Sequence, residues 1–304
     1  MSFSPVDAVG LAEPSDSSNA ASRTAEDSDR GPVLVPLFDR SRAALADQIR
    51  VAGTLARATG AGLRVVAPVR IPARAPLGLS HRFVGEDDRE RLEWAVTEAE
   101  GYATDVDREL LVGRRPVARV RDRIRNSDVD TVVLPGESTG GRLRRSETER
   151  LATDADCDVV TVNGRRGYDG VPSILLPVAG GPHSGLAADV ARRVAAANGA
   201  WVDVLHVVEE GAGDARRREA EEYVAAARRR VGRPETTATW VLEAEDPTDA
   251  IVEQSRYYEL TVVGAPTTGR LRRLVYGSTS RTVGTDAESV VLSARTAGSG
   301  TLLG

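Results

Sequence analysis

Two habits of hydrophobic spacing alternate along the chain. Short runs with little polar interruption recur at Val33–Leu37, Leu63–Val66, Glu109–Val112, Thr131–Leu134 and Asp158–Val162. Apolar runs of four to six residues, bounded by glycine and polar residues, predict strands buried on both faces. Between them the apolar positions recur every three or four residues. Ala43–Thr59 places Leu45, Ile49, Ala52 and Leu55 on one helical face, and Gly60 and Gly62 end it. Asp87–Asp107 does the same with Leu92, Ala95, Val96 and Ala99. Pro116 suits a first helical position, with Val117, Val120 and Ile124 behind it. Ile71–Phe83 reads as a proline-containing loop.

The pattern then begins again. Ser173–Val178 (SILLPV) parallels Val33–Leu37 (VLVPL), with Pro177 matching Pro36. A helix over Leu186–Ala197, a strand over Trp201–Val207, a charged helix over Ala212–Val231 and a strand over Thr237–Leu242 follow. Asp246-Pro247 caps the next helix, which carries Ile251, and strands at Leu260–Gly264 and Ser289–Leu292 close the series. The pentapeptide GRLRR occurs at Gly141–Arg145 and again at Gly269–Arg273. Two copies of one α/β unit account for this order. The predicted fold class is α/β, with two tandem, doubly wound, five-stranded parallel-sheet domains. The boundaries read as a disordered tail over 1–30, domains over 31–166 and 167–296, and a second tail over 297–304.

Composition narrows the classes. The 304 residues suit about two domains. Hydrophobic residues make up 41% and aromatics 4%, so the cores rest on Val, Leu, Ile and Ala. All 40 basic residues are arginine, and the net charge is −5. A lysine-free, mildly acidic chain argues against a nucleic-acid binder, and suits a GC-rich genome or a high-salt, halophilic cytoplasm. No apolar run approaches the ~20 residues of a membrane span. No basic-then-apolar leader opens the sequence, so the expected location is cytoplasmic. The single cysteine, Cys157, precedes a strand and reads as a small packed side chain.

The stretch Leu260–Leu292 carries the chemistry. A buried strand ends at Gly264, and a loop with Arg270, Arg272 and Arg273 follows. Gly277-Ser278-Thr279-Ser280 then opens a predicted helix. Backbone N–H groups of such a loop and first helical turn suit an anion. Gly264, two residues, Thr267, nine residues, then Gly277-Ser278 resembles the signature of the universal stress protein family, with Thr267 where the second glycine belongs. The resemblance extends over about Pro32–Arg295 in two copies. It implies an adenine nucleotide alpha hydrolase-like fold and a pocket for ATP or another adenine nucleotide, with Mg as an optional companion. Phosphate contacts map onto Gly264, Thr267, Gly277, Ser278, Thr279 and Ser280. Val207 and Val263 would line the adenine slot, and Pro177 the first-strand turn. Ala179 stands where the family has Asp. The family pairs through its last strand, so the two domains are expected to form an intrachain pseudo-dimer; a homodimer is the other arrangement.

In the first copy GRLRR runs into Ser146-Glu147-Thr148-Glu149, no Gly-Ser follows, and Phe38 takes the Asp position. This copy is expected to bind no nucleotide. His81, His183 and His206 are scattered, so no metal site is indicated. The loop Gly180-Gly181-Pro182-His183-Ser184 loosely resembles a pyrophosphatase loop, but Ala179 and His183 replace its Ser and Asp. The absence of lysine removes the Walker loop. No catalytic residue is assigned, and turnover beyond slow ATP hydrolysis is not expected. The alternative function is a nucleotide-independent regulatory module. SILLPVAGGPHSGLA is similar to stress-protein domains attached to some transporters, which would make a transporter the partner.

Overall fold

The computed structural model describes residues 31–38, 41–74, 82–136, 145–164, 170–265 and 289–297. The strands are β1 (Val33–Pro36), β2 (Leu63–Arg70), β3 (Val106–Gly113), β4 (Thr131–Pro135), β5 (Asp158–Asn163), β6 (Ser173–Pro177), β7 (Trp201–Glu209), β8 (Thr237–Ala244), β9 (Leu260–Gly264) and β10 (Val290–Arg295). The helices are α1 (Arg42–Thr59), α2 (Glu86–Glu100), α3 (Pro116–Arg125), α4 (Arg145–Asp154), α5 (Pro182–Asn198), α6 (Asp214–Val231) and α7 (Pro247–Gln254).

All ten strands join in one sheet, in the order β3-β2-β1-β4-β5-β10-β9-β6-β7-β8. Strands β1–β5 are mutually parallel, and so are β6–β10. The seam between the two sets is antiparallel, with Leu292 opposite Val162 and Ala294 opposite Val160. The fold is therefore two doubly wound five-stranded units joined edge to edge, and their strand C-termini point in opposite directions.

Local chemistry sets the elements. All four residues of β1 are buried, as a strand covered on both faces requires. Ser41 Oγ accepts from the Ala44 N–H at the start of α1. At its end Gly60, at φ 69°, gives its N–H to Ala56 and Arg57. Asp246 caps α7 by accepting from the N–H groups of Thr248 and Asp249, with Pro247 in the first turn. Helices α1 and α5 pack on each other across the seam, so Leu45, Ile49, Val190 and Val194 share one core with strands of both units. On the opposite face of the first unit, α3 and α4 cover a second core of Leu34, Phe38, Leu134 and Leu151.

Several boundaries differ from the spacing: the third strand runs over Val106–Gly113, the last over Val290–Arg295, and α5 starts at Pro182. The helix predicted to reach Asp107 ends at Glu100, because Leu63 pairs with Val106 and the Leu63 N–H is taken by the Asp105 carbonyl. The second strand runs on to Arg70 rather than stopping at Val66. Beyond Val66 it pairs with β3 alone, and Pro68 lies past the last residue paired with β1. Cys157 is buried, and burial, aided by Asp158, pushes its thiol up to about 11, which suits packing rather than reactivity. Among the described residues no helix is long and apolar enough to cross a membrane.

Candidate functional site

In the second unit the chain passes from β6 outward to β7 and β8, then returns to β9 on the other side of β6. That reversal is where doubly wound sheets bind ligands, beyond the strand C-termini. Strands β6 and β9 are in register only at Ile174–Leu260 and Leu175–Thr261, so they part toward that end. Pro177 closes β6 and is buried; Val263 and Gly264 close β9. Val207 is half-buried on the neighbouring β7. The topology thus brings Pro177, Val207, Val263 and Gly264 to one end of adjacent strands. Thr267, Gly277, Ser278, Thr279 and Ser280, with Arg270, Arg272, Arg273 and the predicted helix, lie outside the described residues.

Gly264 lies at a close approach of backbone. A Cβ there would stand 3.0 Å from the His183 carbonyl carbon and 3.1 Å from the Ser184 nitrogen, both in the first turn of α5. Gly181 caps that helix without a side-chain bond, and Ser184 Oγ accepts the Ala179 N–H at 3.4 Å. Ala179 itself is exposed.

Behind the loop sits a group that spacing alone did not single out. Gly180 has φ 75°, and a Cβ on it would lie 2.2 Å from the ring of Tyr223 on α6. The Tyr223 hydroxyl donates to Glu219 at 2.8 Å, and its ring centroid is 5.5 Å from that of His206. His206 lies 2.7 Å through Nδ1 from the Val178 carbonyl, so Nδ1–H is the donor. His206 thereby ties β7 to the last residue before Ala179.

Burial holds His206 below the ordinary imidazole range, opposed by the Val178 carbonyl and Glu219. Burial, and Arg295 beside it, lower His183 as well. A lowered folded pKa means that stabilisation is complete above the ordinary value of about 6.5 and is lost as the pH falls toward the folded values. The urea midpoint should therefore hold between pH 8 and 7 and decline from about pH 6.5 to 5. His206→Asn, which keeps a donor for Val178, should reduce the decline. A midpoint flat across that range would contradict the burial of these rings.

The first unit is built differently at the equivalent reversal between β1 and β4. Gln48, fully buried on α1, donates through Nε2 to the Pro36 carbonyl at 3.2 Å and the Val133 carbonyl at 2.8 Å. Its amide spans the gap where the two strands part. Phe38, the counterpart of Ala179, is 4% exposed and packs in the second core. Among the described residues no group of three or more His, Cys, Asp or Glu side chains could hold a metal ion.

A doubly wound arrangement of parallel strands, with helices on both faces, defines the class: an α/β protein. Residues 171–295 match the model of the universal stress protein family. Among solved structures, a universal stress protein from Archaeoglobus fulgidus DSM 4304 is similar over 89% of this chain and 97% of its own, with 15% identity and a TM-score of 0.56. A protein of unknown function from Pseudomonas aeruginosa PAO1 is similar over 90% and 95%, with 18% identity and a TM-score of 0.50. At these identities the likeness is one of fold. A third, the universal stress protein from Archaeoglobus fulgidus in complex with dAMP, covers 43% of this chain and 97% of its own at 21% identity, with a TM-score of 0.35, too low to compare sites. No curated protein sequence matches the chain significantly.

Proposed function

We propose that this chain is a tandem universal stress protein that binds one adenine nucleotide at the second unit's strand reversal and uses the first unit as its internal structural partner. The observation that carries the reading is an asymmetry. The family match covers residues 171–295, where β6 and β9 part beside the exposed Ala179. The matching gap of the first unit is stapled by Gln48, and Phe38, at the position of Ala179, is buried in the second core.

In this reading Pro177, Val207 and Val263 border the base, and the backbone of Gly264 meets the phosphates. Thr267, Gly277, Ser278, Thr279 and Ser280 continue that cradle by the spacing of the sequence. Hydroxyls and N–H groups at a helix start suit a phosphate chain, with Mg as an optional companion. Thr267 and Ala179 each remove something a tighter site would have: a Cβ-free approach and a polar contact. One such hydrogen bond amounts to about 0.5–1.5 kcal/mol, which weakens binding without abolishing it. The chain acts by binding rather than turnover, as a regulatory protein.

Thermal unfolding of the full chain, titrated with ATP, ADP and AMP with and without magnesium, tests this. A saturable rise in midpoint is expected. Gly277→Glu should abolish it by placing a carboxylate among the phosphate donors, and Thr267→Gly should enlarge it. No shift in the wild type or in Thr267→Gly would leave docking to a membrane transporter, independent of nucleotide, as the better reading.

A further inference from the structure

Three consecutive residues at the end of β10 fasten three separate elements at one end of the seam. Arg295 Nη1 donates to the carbonyls of Ala152 at 2.9 Å and Ala155 at 3.3 Å, at the end of α4 in the first unit. The Ala297 N–H goes to Asp158 Oδ1 at 3.1 Å, at the start of β5. Between them the Thr296 N–H is directed at His183 Nδ1 at 3.3 Å, in the first turn of α5 in the second unit. Residues 295–297 are thus a strap joining both units where their edges meet.

Of the three fastenings only the middle one depends on a group that titrates near neutral pH. We propose that His183 is a pH-operated clasp: neutral, it accepts the Thr296 N–H and holds the strap; protonated, it releases it. The chemistry follows from the atom involved. An N–H donor pointing at Nδ1 requires that nitrogen to be unprotonated, with the ring proton on Nε2. Once Nδ1 gains a proton, two N–H groups confront each other and the bond cannot form. The charged groups that face the ring, among the described residues, are the Arg295 guanidinium on β10 and the Asp158 carboxylate on β5. Arg295 repels an imidazolium. Asp158 attracts one, but it already accepts from Ala297. Release would break the tie between Thr296 and α5, while the β5–β10 ladder, which involves no histidine, holds.

Amide exchange at Thr296 reads this directly, independently of any nucleotide. In the full chain, after correction for intrinsic chemistry, protection of the Thr296 amide should fall by about fivefold between pH 7.5 and 5.5, the scale of one lost hydrogen bond. Protection at Leu292 should stay unchanged. His183→Asn places an oxygen acceptor where Nδ1 stands and does not titrate, so its Thr296 protection should be the same at both pH values. An equal fall in His183→Asn overturns the clasp, as does wild-type protection at Thr296 that is unmoved while His183 titrates. Should His183→Asn not fold, ¹⁵N-histidine spectra of the wild type decide. An Nε2–H tautomer for His183 at pH 7.5 supports the clasp, and an Nδ1–H tautomer overturns it.

Discussion

Leu292→Ala should destabilise the whole chain by about 2–5 kcal/mol, the range for removing a fully buried leucine side chain. Leu292 has no exposed surface, and its strand is central rather than an edge. It is opposite Val162 of the first unit and in register with Val262 of the second. Its side chain belongs to the core that also holds Leu45 of α1 and Ala187 of α5, so the cavity would open under both units. One consequence separates this from an ordinary core truncation. Trp94 lies in the first unit, and Trp201 and Trp240 lie in the second. Single-tryptophan versions carrying Leu292→Ala should report the same lowered urea midpoint from either side. Two midpoints, with only the second unit weakened, would mean that the shared sheet does not couple the units energetically.

Gly180→Ala should cost about 2–5 kcal/mol, from two sources that can be separated. The first is conformational: at φ 75° an L side chain is strained by about 1–2 kcal/mol. The second is steric: the new Cβ would lie 2.2 Å from the Tyr223 ring, and such overpacking costs about 1–3 kcal/mol. In a double-mutant cycle with Tyr223→Ala, measured by urea unfolding, the steric part should vanish and the conformational part remain. Additive losses would show that the ring swings aside freely and does not press on the loop. Because that loop carries Ala179, Gly180→Ala should also weaken any ligand held at the β6–β9 reversal.

The sequence disclosed the elements better than their company. Continuous runs such as Ile174-Leu175-Leu176, short and ended by Pro177, suit strands covered on both faces, and the 3.6-residue stripe of Leu45, Ile49 and Ala52 suits a helix face. The over-long helix at Asp87–Asp107 arose because a periodic pattern ran through a turn that only the pairing of Val106 with Leu63 terminates. Gln48 is polar and so reads as solvent-facing, yet it stands three residues after Leu45 and beside Ile49, on the buried side. That placement was the available signal. Tyr223 sat in a run of arginines and glutamates that reads as a solvated face, and only tertiary packing sets its ring on Gly180. The seam had a quieter signature. Both Val159–Val162 and Val290–Leu292 lack the charges that protect an edge strand, which signals that each is covered, but not by what.

The central claim is that the second unit kept a nucleotide cradle while the first closed its own. Calorimetric titration of the full chain with ATP and magnesium tests it most directly, because it counts sites. The account predicts one site per chain, lost in Gly277→Glu and unaffected by Gln48→Leu. Two sites per chain, or binding that survives Gly277→Glu, would contradict it.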